Sequence, residues 1–137
     1  DLVDLVQKMK AVEIVTRKPE FDPLIIGFKR AHRLVEKEQW ERQPIDVGKF
    51  QHPSESALHQ AVAVGRGTMG SALEIGDYGK VLDALVGFKV VIDDFFAAVM
   101  VNAEDKAIRS NRLSLLKEVD ELFMSFADFS QIMVQGR

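Results

Sequence analysis

At 137 residues, with 47% hydrophobic and 28% charged positions, the chain has the composition of one globular domain, able to bury about two-thirds of its unfolded surface. A net charge of −3 is not the footprint of a general nucleic-acid or DNA binder, and the absence of cysteine excludes a disulfide scaffold and a thiolate metal site and fits a reducing, cytoplasmic compartment. No apolar run approaches the length of a membrane span and no leader pattern opens the chain, while a start at Asp1 rather than Met is what a piece of a longer protein would show.

Leu2, Leu5, Val6, Met9 and Val12 recur at helical spacing, which predicts an amphipathic helix ending near Lys18-Pro19. Asp22-Pro23 predicts the start of a second helix, with Asp as the cap and Pro in the first turn. It runs to about Glu38 and should bury Leu24, Phe28, Ala31, Leu34 and Val35. Residues 39–53 have no apolar period and contain two prolines, so they read as a long loop, with movement expected between Trp40 and Gln51. Ser54, with Glu55 behind it, starts a third helix carrying Ala57, Leu58, Ala61 and Val62. Glycines 65, 67 and 70 then weaken that helix, each costing ~1 kcal/mol in a helix interior.

Gly76 closes the segment and Asp77 caps a fourth helix, whose period runs unbroken through Tyr78, Val81, Leu82, Leu85, Phe88, Ile92, Phe95, Phe96 and Val99. A fifth helix, capped by Asp105, extends from about Lys106 to Phe126, and a short last one lies near Phe126 to Val134. No stretch alternates with a period of two. The expected fold is therefore all-α, a bundle of five to six helices filling residues 1–137 as a single domain.

The fifth helix carries an anomaly. Ile108, Leu115, Leu116, Val119, Leu122, Phe123 and Phe126 share one arc, and Arg112 falls in its middle. A guanidinium on a buried face must be paired, so Arg112 reads first as a structural ion pair with Asp93, Asp94, Glu104 or Asp128, and second as an RNA contact. Arg109 and Asn111 flank the arc where they would meet solvent, and are the better RNA candidates. On the second helix Lys29, Arg30, Arg33 and Lys37 form a continuous polar arc. Four cations can follow a phosphate backbone, or form a solvated face balanced by Glu36 and Glu38. In the loop, Trp40, Arg42, Lys49, Phe50 and His52 interleave aromatic and basic groups as a single-stranded RNA site would, although a Trp that plugs the core reads equally well.

Charge is distributed unevenly. Residues 1–53 hold ten Lys and Arg against nine Asp and Glu, and residues 54–137 hold eight against twelve, so RNA contact should fall in the first half. Other patterns lead to bland readings. Gly65-Arg66-Gly67-Thr68-Met69-Gly70 spells a dinucleotide fingerprint but follows a helical pattern with no βαβ unit around it. His32, His52 and His59 are not spaced to ligate a metal from one helical face, so no metal site is expected. Asp93-Asp94 and Glu104-Asp105 point about 100° apart within each pair, which argues against paired catalytic carboxylates.

The run from Phe95-Phe96 through Val99-Met100-Val101, Glu104-Asp105, Arg109, Asn111-Arg112-Leu113 and Ala127-Asp128-Phe129-Ser130 resembles the C-terminal end of bacterial glycyl-tRNA synthetase beta subunits. Phe28-Lys29-Arg30 resembles the same family's Phe-Lys-Arg helix, and His52-Pro53-Ser54-Glu55 with Leu58 resembles the opening of anticodon-binding domains of arginyl-type synthetases. The resemblance covers about residues 21–132. It implies a DALR-type anticodon-binding domain and a parent enzyme that joins glycine to its tRNA using ATP and magnesium. That parent is a cytoplasmic heterotetramer of two alpha and two beta subunits in which the alpha subunit carries aminoacylation. For this piece no catalytic residue and no cofactor is expected, and the resemblance implies recognition of glycine tRNA, for which Lys29, Arg30, Arg33, Lys37, Trp40, Arg109 and Asn111 are the candidate residues. The rival expectation is a helical docking module with no RNA contact of its own.

Overall fold

The computed structural model describes residues 1–132, and these form six α-helices and two 3-10 turns with no strand among them. The helices are α1 (Leu2–Thr16), α2 (Phe21–Lys37), α3 (Pro53–Glu74), α4 (Tyr78–Val86), α5 (Phe88–Ala98) and α6 (Lys106–Met124); the turns are Val47–Lys49 and Phe129–Gln131. The all-α expectation holds.

Helix α6 is the axle. It packs against α2 on one side and α3 on another, so it buries more than a single arc: Leu113 and Ser114 are as enclosed as Leu116 and Phe123. Phe28 of α2 stacks on Phe123 at 4.9 Å between centroids, and Phe88 meets Phe123 edge-on at 5.7 Å. Such pairs add about 0.5–1.5 kcal/mol each beyond the area they bury. Close approach of α3 depends on Gly65, where a Cβ would stand 3.1 Å from both Leu122 Cδ2 and the Phe88 ring. The glycines therefore leave α3 continuous, and Gly65 lets it seat. The dinucleotide-like hexapeptide is the middle of this helix, with its backbone engaged in the helical ladder.

Several expected boundaries move. Glu20, not Asp22, is the N-cap of α2, and Asp22 sits in the first turn, where its charge favours the helix dipole. The N-cap of α3 is His52, not Ser54: its Nδ1 accepts from the Ser54 N–H at 3.0 Å, Pro53 fills the first position, and Glu55 reaches back to complete a capping box. Gly76 ends α3 at φ +70°, a backbone state that disfavours any side chain, and Asp77 caps α4 as expected. The predicted long fourth helix breaks at Gly87 into α4 and α5. Its two halves serve different neighbours, since α4 packs on α1 and α3 whereas α5 packs on α2 and α3. The last predicted helix is only the 3-10 turn at Phe129–Gln131, and Met133 and Val134 lie outside the described residues.

Of the predicted apolar stripe of α1, only Val12 packs against the core. Leu2 is 75% exposed, and Leu5, Val6 and Met9 are exposed with it, while α1 attaches to α4 through the side bearing Ala11, Val12 and Val15. No helix among the described residues is long and apolar enough to cross a membrane.

Candidate nucleic-acid interface

Arg112 is buried, at 6% exposure, and does make an ion pair, but with a partner not expected from the sequence. Its Nε lies 3.4 Å from Glu55 Oε2, its Nη1 donates to the Met100 carbonyl at 2.7 Å, and its Nη2 donates to Gln51 Oε1 at 3.0 Å. Asp93, Asp94, Glu104 and Asp128 are not its partners. Glu55 is wholly enclosed and also accepts from the N–H groups of Gln51 and His52 at 2.9 and 3.1 Å. One carboxylate thus caps α3, closes the loop and neutralises the guanidinium, which is the satisfaction that a buried ion pair requires. Glu55 stands 57 positions from Arg112. Its place three residues after a helix cap is the one local sign of a second duty.

The same end of α6 holds the long loop. Asn111 is buried at 3% exposure rather than facing solvent: its Oδ1 accepts from Asp46 N–H at 2.9 Å and its Nδ2 donates to Asp46 O at 3.0 Å. Ser114 Oγ accepts from Gln43 N–H at 3.0 Å, and Arg42 forks onto Glu121 at 2.6 and 3.0 Å. Trp40 donates its indole N–H to Val35 O at 3.1 Å and packs against the core, so the plug reading fits its place. The segment expected to move is strapped to α6 by side chains that satisfy its backbone. Arg109 is also engaged, donating to Glu38 Oε2 at 3.0 Å, Gln39 O at 2.9 Å and Asn102 Oδ1 at 3.1 Å.

The cations of α2 behave differently. Lys29 donates to the Ile132 carbonyl, and Arg30 lies with its guanidinium 4.1 Å from the Phe96 ring centroid. Arg33 and Lys37 are exposed and meet no carboxylate among the described residues. The structure therefore brings Arg30, Arg33 and Lys37 together on one accessible face, and turns Trp40, Arg109 and Asn111 inward to shape the ground beside it. His32, on the inner flank, approaches Asp120 Oδ1 at 2.6 Å. With Glu36 these are the described ligand-type atoms that lie within 4.8 Å of one another. The His32–Asp120 hydrogen bond braces α2 against α6, a link between residues 88 apart that no local spacing reveals.

A helical bundle with a strapped loop and, among the described residues, an open cationic face on α2 has the make-up of a nucleic-acid-binding domain. Residues 24–129 match the model of the DALR anticodon binding domain, and the chain belongs to that family. It is also similar to glycine–tRNA ligase beta subunits from Geotalea uraniireducens (37% identical over 136 residues, 96% of this chain), Myxococcus xanthus (36% over 137 residues, 98%) and Syntrophus aciditrophicus (36% over 136 residues, 99%). The chain spans about one fifth of the length of these relatives, which is 19%, 20% and 19% respectively.

Proposed function

We propose that this chain binds tRNA and recognises its anticodon region, as one part of a glycine-specific tRNA ligase beta subunit. What supports the reading most is that the matched family region, residues 24–129, contains the open cationic face of α2. Arg33 and Lys37 grip backbone phosphates, each contact releasing counterions, while Arg30 reaches toward bases. The loop from Gln39 to His52, strapped by Asn111, Ser114 and Arg112, serves as scaffold in this reading, since its Arg42 is held by Glu121 and its Lys49 by Asp46.

In this reading aminoacylation, with its ATP and magnesium, belongs to other parts of a cytoplasmic assembly that includes an alpha subunit, and this domain couples tRNA identity to that distant chemistry. Fluorescence anisotropy with glycine tRNA and with the same tRNA carrying a changed anticodon, over a salt series, tests it. Tighter binding of the native anticodon is expected. Equal binding of both would reduce the role to backbone grip, and no binding even at low salt would sink the reading. One observation favours a second role beside it: the exposed stripe of Leu2, Leu5, Val6 and Met9 on α1 has the character of a helix–helix docking face. Polar substitutions there should leave tRNA affinity unchanged while weakening assembly.

A further inference from the structure

The members of three sequence stretches that stay outside the core meet in one place. Of the stretches Phe28-Lys29-Arg30, Phe95-Phe96 and Val99-Met100-Val101, the residues Phe28, Phe95, Val99 and Val101 are core. Arg30 and Met100 are exposed and Phe96 is half-buried, and together with Leu34 and Asn102 they line a groove of ≈ 490 Å³ between α2 and the end of α5. Its size suits a small planar ligand (pockets of about 300–1,000 Å³ do).

The groove is built. Phe96 is held edge-on against buried Phe95 at 5.6 Å between centroids. The Arg30 guanidinium carbon lies over the Phe96 ring, 4.1 Å from its centroid, and Arg30 is exposed, so the guanidinium can meet a second flat group. The Asn102 amide is fixed between Glu38, at 3.3 Å, and Arg109, at 3.1 Å. Met100, 74% exposed, supplies a pliable apolar wall. Arg30, Leu34 and Lys37 follow at i, i+4 and i+7 along the same face of α2, with Arg33 at its edge, so free positive charge runs beside the apolar floor. An unstacked nucleobase needs a flat cationic or aromatic platform with phosphate-binding cations alongside. A protein segment could use the same floor, but the run of Arg30, Arg33 and Lys37 beside it favours a polyanion.

We propose that this groove seats one unpaired base of an RNA loop, stacked on the outer plane of Arg30, with Met100 as its wall and Arg33 and Lys37 on the flanking phosphates. The assignment rests on the reading of the chain as a tRNA-binding domain, and the experiment separates the two. Affinity for the glycine tRNA anticodon stem–loop is measured for the wild type, Arg30→Lys, Phe96→Leu, Met100→Ala and Arg33→Ala/Lys37→Ala, with thermal melts to check folding. Arg30→Lys keeps the charge and loses the plane, so it should weaken binding about 5- to 100-fold with the salt slope unchanged. Phe96→Leu should follow in the same direction. A stem closed by a fully paired duplex end, offering no loose base, should bind the wild type and Arg30→Lys alike. Met100 is exposed enough that its replacement cannot unfold the chain, so a loss there stands even if Phe96→Leu melts early. If Arg30→Lys and Met100→Ala bind as the wild type does while Arg33→Ala/Lys37→Ala weakens, the base seat is wrong and the tRNA reading survives. If the wild type itself does not bind, both fall.

Discussion

The cations of α6 and those of α2 are the same residue types put to opposite uses. Arg109 and Arg112 are consumed by Glu38, Glu55, Gln51 and main-chain carbonyls, and Asn111 is spent on Asp46. Arg33 and Lys37, on a helix packed directly against α6, meet no carboxylate among the described residues. What separates the two sets is what faces them. α6 is enclosed by α2, α3 and the long loop, so any charge it carries inward must find a partner. On the outer face of α2, Arg33 and Lys37 are exposed and their charges stay available. A cluster of basic residues in a sequence is therefore informative about binding only after its surroundings are known.

The sharpest way to break the comparison is Arg112→Ala, which strands the buried Glu55 carboxylate and should cost about 3–5 kcal/mol in urea unfolding. Replacing Arg112 by Met and Glu55 by Gln together should recover much of that loss, because no charge is left unpaired. A loss below ~1 kcal/mol for the single mutant would place Arg112 outside the structural set. Next, Asn111→Ala removes both bonds to Asp46 and should cost about 1–3 kcal/mol, with amide-exchange protection at Asp46 disappearing before global unfolding. Arg33→Ala/Lys37→Ala should shift stability by no more than ~0.5 kcal/mol and lower the salt slope of tRNA binding by about one for each phosphate no longer neutralised.

The smallest effect is a pH dependence. The Arg42 hydrogen bond holds the Glu121 carboxyl below its ordinary value of 4.5. A depressed carboxyl stabilises the fold above that ordinary value and loses its contribution as pH falls through the lower folded one. Both side chains are nearly half exposed, so solvent and salt leave only a few tenths of a kcal/mol. Arg42→Ala should flatten the acid limb of the unfolding curve by that amount, as measured by urea midpoints from about pH 5 downward; an unchanged limb would mean that this strap does not hold the loop.

Helix identity is readable wherever one face meets one neighbour. The spacing of Leu24, Phe28, Ala31 and Val35 locates the buried side of α2, and Asp77 and Asp105 mark true caps. Sequence pattern misleads where tertiary context decides. Periodicity runs through Gly87 without registering that α4 and α5 follow different partners, and the stripe on α1 looks like a core face although Leu2, Leu5, Val6 and Met9 are exposed. For the site, the need to pair Arg112 follows from its position on an apolar arc, but the choice of Glu55 does not, since an ion pair across 57 residues leaves no local trace. Asn111 reads as an edge residue because the loop that covers it has no period. The α2 cations are legible as a set; that Arg30 stacks on Phe96 is not.

The most direct test of the account sets the salt dependence of tRNA affinity for Arg33→Ala/Lys37→Ala beside that for Arg109→Ala, with the wild type as reference. The α2 pair should lower the slope while leaving the melt unchanged, and Arg109→Ala should lower the melting temperature while leaving the slope alone. The reverse pattern, a slope lowered by Arg109→Ala and unmoved by the α2 pair, would contradict the division of the two helices into scaffold and binding face.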